Sequence, residues 1–67
     1  MQLNINGTAR TFARPVMTVA DVVRELALEG KRIAVEKNGE IVPRSRYAET
    51  EVDAADRLEI VGAVGGG

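Results

Sequence analysis

The first residues alternate apolar and polar side chains with a period of two. Over residues 1–6 this pattern predicts a strand with one apolar face. Asn6-Gly7 follows, and this dipeptide readily adopts the positive φ angles of a two-residue hairpin turn. Such a turn sets Leu3 opposite Arg10 in a return strand over residues 8–13. A charged residue on the core face is unfavourable, so we expect either a longer turn or an Arg10 side chain at the rim of the sheet.

The apolar period becomes helical after Pro15. Thr18 opens a capping-box sequence with Asp21 in the first turn. One apolar stripe then recurs at i, i+3, i+4 and i+7, formed by Val19, Val22, Val23 and Leu26. Gly30 suits the left-handed position after a helix, so the helix is predicted to end near Glu29.

The second half of the chain predicts three more strands. A second turn at Asn38-Gly39 predicts a hairpin that sets Val35 opposite Val42. Pro43 ends this hairpin because proline cannot donate a ladder hydrogen bond. A polar connection follows, and alternation returns over residues 57–61. The predicted order is β-β-α-β-β-β.

A single amphipathic helix has only one partner available, which is one face of the sheet. We therefore predict an α+β fold of the β-grasp (ubiquitin-like) type, a roll in which a mixed sheet of four to five strands packs on one helix. Its first and last strands are expected to lie parallel in the middle. The predicted domain covers residues 1–62, and residues 63–67 form a flexible glycine-rich tail.

Composition narrows the function. The 67 residues suffice for one small domain, and nine basic against ten acidic side chains give a net charge of -1. This balance argues against nucleic-acid binding and against a polybasic membrane surface. No apolar run is long enough for a membrane span, and the N-terminus has no signal-peptide pattern, so we expect a cytoplasmic protein that is monomeric when free.

The chain contains no cysteine and no histidine. This excludes disulfides, thiolate nucleophiles, imidazole bases and the usual zinc sites, and no other metal cluster is evident. With only two aromatic residues, a deep catalytic pocket is difficult to build. We expect a protein that is not itself an enzyme.

The glycine-rich end is the candidate for chemistry. The α-carboxylate of Gly67 combines exposure, reach and reactive potential, whereas the plain alternative is a frayed terminus. Residues 63–67, fully extended, reach roughly 17 Å, enough to enter a narrow channel of another protein. Gly66 and Gly65 would lie in that channel because glycine has no Cβ, with Val64 and Ala63 as contacts at its mouth.

A carboxylate becomes an electrophile when ATP converts it to an acyl-adenylate. The chain has no glycine-rich nucleotide-binding motif between a strand and a helix, so a partner enzyme must perform this step. The activated carbon is then open to a lysine amine or to a sulfur nucleophile. On the sheet face away from the helix, Val61 is a possible partner contact near the start of the tail.

Several segments together resemble one known family. Residues 34–44, AVEKNGEIVPR, then Tyr47, Asp56 and the VGGG end at 64–67 are similar to the ThiS-type sulfur carriers of thiamin biosynthesis. The resemblance extends over essentially the whole chain.

The resemblance implies a set of partners. A ThiF-like, E1-like adenylyltransferase using ATP and Mg would adenylate Gly67, while this chain itself would bind no cofactor. Sulfur from a cysteine desulfurase-derived persulfide would convert the adenylate to a thiocarboxylate. A ThiG-like thiazole synthase would then take that sulfur to build the thiazole moiety.

Three alternatives remain at this point. The chain could be a carrier like the small subunit of molybdopterin synthase, although such chains are usually longer. It could be a ubiquitin-like modifier joined to lysines. It could also be a non-catalytic β-grasp adapter whose glycine tail is inert.

Overall fold

The strands and the helix follow the predicted order, with two short strands added. The computed structural model describes residues 1–62. Its elements, in chain order, are β1 (Gln2–Ile5), β2 (Thr8–Thr11), β3 (Met17–Thr18), α1 (Val19–Glu25), β4 (Ile33–Lys37), β5 (Glu40–Val42), a 3-10 turn (Arg44–Arg46), β6 (Glu51–Val52) and β7 (Arg57–Gly62). The additional strands β3 and β6 pair with each other and not with the main sheet. Strands of two residues carry no readable period, which is why the sequence did not predict them.

The main sheet has five strands in the order β2-β1-β7-β4-β5. The central pair, β1 and β7, is parallel, and the other neighbours are antiparallel. The first and last long strands therefore lie side by side at the centre with the helix on one face. The prediction of a β-grasp fold is confirmed.

The first hairpin has the two-residue turn, and not the longer turn that was the alternative. Leu3 pairs with Arg10, and a two-residue turn joins the strands, with φ of 53° at Asn6 and 79° at Gly7. Every residue of β2 is exposed. Because β2 is an edge strand, Arg10 lies at the rim of the sheet and not in the core.

The core fills the space between α1 and the inner face of the sheet. Its buried side chains come from α1 and from every strand except β2: Leu3, Ile5, Met17, Val19, Val22, Val23, Val35, Val42, Val52, Leu58 and Ile60. Val35 faces Val42 across the second hairpin, as predicted. Val52 is buried and Tyr47 half-buried, so both side chains turn inward from the polar connection.

The helix begins with the predicted capping box. The Thr18 hydroxyl accepts a hydrogen bond from the Asp21 N–H at 3.2 Å, and the Thr18 N–H donates to Asp21 Oδ2 at 2.9 Å. This backbone hydrogen bond lowers the pKa of the Asp21 carboxyl; burial opposes the change, and Arg14 and Arg24 reinforce it. The charged Asp21 carboxylate thus stabilises the N-terminal end of the helix, where the helix dipole is positive.

The helix ends at Glu25, one turn before the predicted end. Ala27, and not Gly30, takes the left-handed position after the helix, with φ of 59°. The Leu28 N–H donates to the Val23 carbonyl at 2.9 Å, which closes a Schellman motif. Leu28, the residue after Ala27, is partly buried against the core. No helix within residues 1–62 is both long and apolar enough to cross a membrane.

Candidate carrier site at the end of the last strand

The predicted reactive residue lies outside the described part of the chain. This applies to Gly67 and to the predicted channel residues Gly66, Gly65, Val64 and Ala63. The structure does describe the strand from which they continue. β7 runs between β1 and β4 and pairs with β4 as far as Gly62. The point of departure is therefore held by the sheet.

Val61 lies on the face of the sheet opposite the helix. It alternates with the buried residues Leu58 and Ile60, and its side chain is 56% exposed. Its cross-strand partner on β4 is Ala34. The predicted direction of Val61 is confirmed. Its contact with a partner protein stays a prediction.

The side chain of Asn6 fastens β7 shortly before that strand ends. Its Nδ2 donates to the Ile60 carbonyl at 3.0 Å, and its Oδ1 accepts from the Ile60 N–H at 2.7 Å. The Asn6 backbone N–H also donates to the Leu58 carbonyl at 2.8 Å. The backbone of β1 turns away after Ile5, so the amide side chain of Asn6 continues the hydrogen bonding along β7 in its place.

Asn38 does the same at the beginning of β7. Its Oδ1 accepts from the Arg57 N–H at 2.9 Å, and its backbone N–H donates to the Arg57 carbonyl at 2.8 Å. Its Nδ2 donates to Asp56 Oδ1 at 2.9 Å. Both hairpin turns are therefore attached to the strand that precedes the tail.

Asp56 collects several favourable contacts beside Asn38. Burial alone would raise the pKa of its carboxyl, but the Asn38 amide, the Asp53 N–H at 2.9 Å and the Lys37 ammonium at 3.7 Å outweigh it and leave that pKa below its ordinary value. These contacts connect the tight turn at Asp53 to the beginning of β7. The role of Asp56 is thus to hold the chain in place where β7 begins.

A sequence model described as the ThiS family matches residues 3–67. The match covers nearly the whole chain, including the glycine-rich end. The chain belongs to the ThiS family. It is accordingly related to the sulfur carrier proteins of thiamin biosynthesis, and the predicted resemblance is confirmed.

Two curated relatives differ in how much of their length matches. The sulfur carrier protein ThiS of Bacillus subtilis (strain 168) is 38% identical over 65 residues, which cover 97% of this chain and 98% of that protein. A thiazole synthase of Paramagnetospirillum magneticum (strain ATCC 700264 / AMB-1) is 48% identical over all 67 residues. The chain spans only 20% of the length of that thiazole synthase.

A solved structure confirms the fold of the family. The thiamine biosynthesis protein ThiS of Geobacter metallireducens aligns with a TM-score of 0.84, 29% sequence identity and full coverage of both chains. The described residues therefore share the ubiquitin-like β-grasp fold with that ThiS protein.

In this ThiS-family chain, the sequence pattern predicts only turn positions for Asn6 and Asn38. Both do occupy turns, with φ of 53° and 54°. The missed feature is the second use of each side chain on β7. One signal was available, because asparagine is the only common residue of such turns whose side chain both donates and accepts hydrogen bonds.

The described residues offer no built reaction centre. Within residues 1–62, no group of three or more His, Cys, Asp or Glu side chains is arranged to hold a metal ion. A depression of about 200 Å³ lies between the end of α1 and the 3-10 turn, lined in part by Val23, Leu28 and Tyr47. Other depressions of the described surface have volumes of about 340, 350 and 560 Å³, and all of them are open to solvent.

Proposed function

We propose that this ThiS-family chain carries sulfur as a thiocarboxylate on Gly67 and donates it to a ThiG-like thiazole synthase. A ThiF-like, E1-like enzyme adenylates the Gly67 carboxylate with ATP and Mg and releases pyrophosphate. In this scheme the chain binds no cofactor and is a co-substrate, not an enzyme. Because the reaction draws on ATP and on cysteine sulfur, we place it in the cytoplasm.

The sulfur transfer balances with one additional thiol. The outer sulfur of a cysteine desulfurase-derived persulfide attacks the Gly67 acyl carbon, a C–S bond forms, and AMP leaves. A thiol then reduces the resulting acyl disulfide, which leaves the thiocarboxylate on the carrier and a disulfide on the other two sulfurs. Thiazole synthase takes the sulfur as the C–S bond of the thiocarboxylate breaks, and an oxygen atom from the acceptor substrate or from water takes its place, which returns the carrier to the carboxylate.

The observation that supports this proposal most is the family match, because it includes the glycine-rich end. The fold supports it as well. β7 lies at the centre of the sheet, and its last residue, Gly62, is still paired with Ile33 of β4, so the five residues that follow continue from a strand held by the sheet. Fully extended, they could carry the carboxylate roughly 17 Å from the sheet into a partner.

Glycine at 65–67 suits passage through a narrow channel, since any side chain would widen the segment. We propose that Gly66 and Gly65 lie inside such a channel, that Val64 and Ala63 contact its mouth, and that Val61 contacts the partner surface beside it. The named thiazole synthase relative supports a ThiG-like partner, because one fifth of that protein matches this chain.

The test is the intact mass of the protein isolated from thiamin-starved cells. Exchange of oxygen for sulfur adds about 16 Da at Gly67, a shift that oxidation of Met1 or Met17 also gives, so fragmentation must place it in the C-terminal peptide. A variant with one alanine appended after Gly67 is the control, because its reactive carboxylate is displaced by roughly 3.5 Å. We expect no sulfur on this extended chain.

Three results would contradict the proposal. The first is an unmodified wild-type terminus under thiamin starvation. The second is an extended chain that gains sulfur as well as the wild type. The third is attachment of Gly67 to lysines of other proteins, which would favour a ubiquitin-like modifier.

A Gly66→Phe variant tests whether the tail must pass through a narrow channel. It should fail to form the adenylate while its melting curve stays unchanged, which would show that the side chain blocks entry of the tail and does not disturb the fold.

A further inference from the structure

Two carboxylates face each other on the outer surface of the sheet. Glu36 of β4 and Glu59 of β7 are direct cross-strand partners. They alternate with Val35, Leu58 and Ile60, which are buried on the helix side, so both side chains point to the opposite face. Like charges directly opposite each other destabilise a sheet. This pair therefore opposes the folding of the free protein.

Within the described residues, no basic side chain forms an ion pair with Glu36 or Glu59. Arg57 lines the same shallow depression as Glu36 and Glu59, but it is not ion-paired with either of them. The face thus keeps unpaired negative charge at the middle of its two longest strands.

Exposed apolar side chains border this pair. Ile41, 64% exposed, is the cross-strand partner of Glu36 on the side of β5. Val61, 56% exposed, follows Glu59 on the same face of β7 and pairs with Ala34. These are two of the three large hydrophobic residues that are well exposed in the described chain, so the face combines apolar contacts with uncompensated charge.

We propose that this face, Ala34, Glu36, Ile41, Glu59 and Val61, receives an arginine of the thiazole synthase. An arginine matches both features, since its planar guanidinium can pair with two carboxylates while its aliphatic stem packs on apolar side chains. Arginine is also enriched in protein interfaces. The proposal rests on the proposed function and adds to it the chemistry of the docking surface.

Two observations favour thiazole synthase as the occupant. A relative with that name contains a segment 48% identical to the full length of this chain, so the two parts occur there in one polypeptide. In addition, Val61 directly precedes Gly62, from which the tail continues, and Glu59 lies two positions before Val61 on the same face. A partner that accepts the tail would therefore lie close to this face.

The experiment measures binding of the full chain to purified thiazole synthase from the same organism, with a Glu36→Gln/Glu59→Gln double variant. We expect Kd to rise about tenfold at low salt, with a weaker salt dependence than for wild type. The free variant should melt about 2–5 °C higher, because the repulsion is removed. Weaker binding by a more stable protein cannot result from misfolding.

A matched control carries the same chemical change elsewhere. Glu25→Gln replaces an exposed carboxylate on α1, on the opposite side of the sheet, and should leave Kd unchanged. The proposal is overturned if the double variant binds as tightly as wild type, or if Glu25→Gln weakens binding equally. A loss of affinity confined to the ThiF-like enzyme would also overturn it.

Failure of this proposal is separable from failure of the proposed function. If the wild type gains sulfur at Gly67 and the double variant still binds thiazole synthase normally, only the docking surface is wrong. If the wild type gains no sulfur, the carrier function itself fails.

Discussion

The two Asn-Gly turns use the same dipeptide and nearly the same backbone, yet they secure opposite ends of one strand. Asn6 and Asn38 have φ of 53° and 54°, and each binds the backbone of β7 through its side chain. Asn6 makes both side-chain hydrogen bonds to Ile60, in a partly buried position. Asn38 divides its bonds between the Arg57 N–H and the Asp56 carboxylate, in an exposed position.

The difference shows what each turn contributes. Asn6 replaces a missing strand partner near the end of β7, so its two bonds belong to the sheet ladder. Asn38 belongs to a surface network that includes a charge. Removal of the Asn6 side chain should therefore leave the backbone N–H and C=O of Ile60 without partners. If the Asn38 side chain is removed, water can replace most of its contacts.

The largest expected effect is that of Asn6→Gly. Glycine accepts positive φ, so the substitution removes the side-chain bonds without straining the turn. We expect a loss of about 2 kcal/mol in the free energy of unfolding, because the Ile60 N–H and C=O lose their partners in a partly buried site. Chemical denaturation measures this loss, and amide hydrogen exchange should show faster opening at Ile60 than at Arg57.

Asn38→Gly is the matched control for Asn6→Gly, because it makes the same chemical change on the same backbone at the other end of β7. If both variants lost the same free energy of unfolding, or if Ile60 exchanged at the wild-type rate in Asn6→Gly, the distinction between ladder and surface network would be wrong.

The next effect is smaller and depends on pH. At pH 7 we expect Asn38→Gly to lose about 1 kcal/mol in the free energy of unfolding. The Asn38 amide helps to hold the pKa of Asp56 below its ordinary value. A lowered folded-state pKa contributes stability above the unfolded-state pKa, and this contribution disappears as pH falls through the folded-state value. The gap between variant and wild type should thus narrow below about pH 4.

Denaturation midpoints measured from pH 7 to pH 2 give this comparison. Asp56→Asn should reproduce the pH dependence, since it removes the titrating group itself. A gap between Asn38→Gly and wild type that stays constant over this range would mean that Asn38 acts only through Arg57.

Much of the fold was predictable because local and long-range signals agree in this chain. The capping box at Thr18, the two Asn-Gly turns and the alternation around Val35 all specify the elements and registers that the structure shows. The pairing of β3 with β6 was not predictable. It depends on tertiary placement of a two-residue segment at Met17, which has no periodicity of its own.

Of the candidate site, the sequence predicted only which face of the last strand is exposed. Alternation places Val61 on the outer face, and the structure agrees. The attachment of Asn6 to Ile60 was not predictable, since it joins residues 54 positions apart and a turn signal says nothing about side-chain partners. The opposition of Glu36 and Glu59 likewise becomes visible only when the register of β4 on β7 is known.

The smallest expected effect concerns Ala27, the third non-glycine residue with positive φ within residues 1–62, and here the substitution should stabilise the chain. Ala27 has φ of 59° after the helix, and no side-chain hydrogen bond compensates for that conformation. We expect Ala27→Gly to raise the free energy of unfolding by about 0.5 kcal/mol, because relief of the left-handed strain exceeds the entropy that glycine adds to the unfolded chain.

The same substitution would thus stabilise the chain at Ala27 and destabilise it at Asn6. Chemical denaturation of the two variants side by side measures this contrast. Destabilisation at Ala27 would mean that glycine itself costs stability at these positions, and the losses at Asn6 and Asn38 could then no longer be assigned to their side chains.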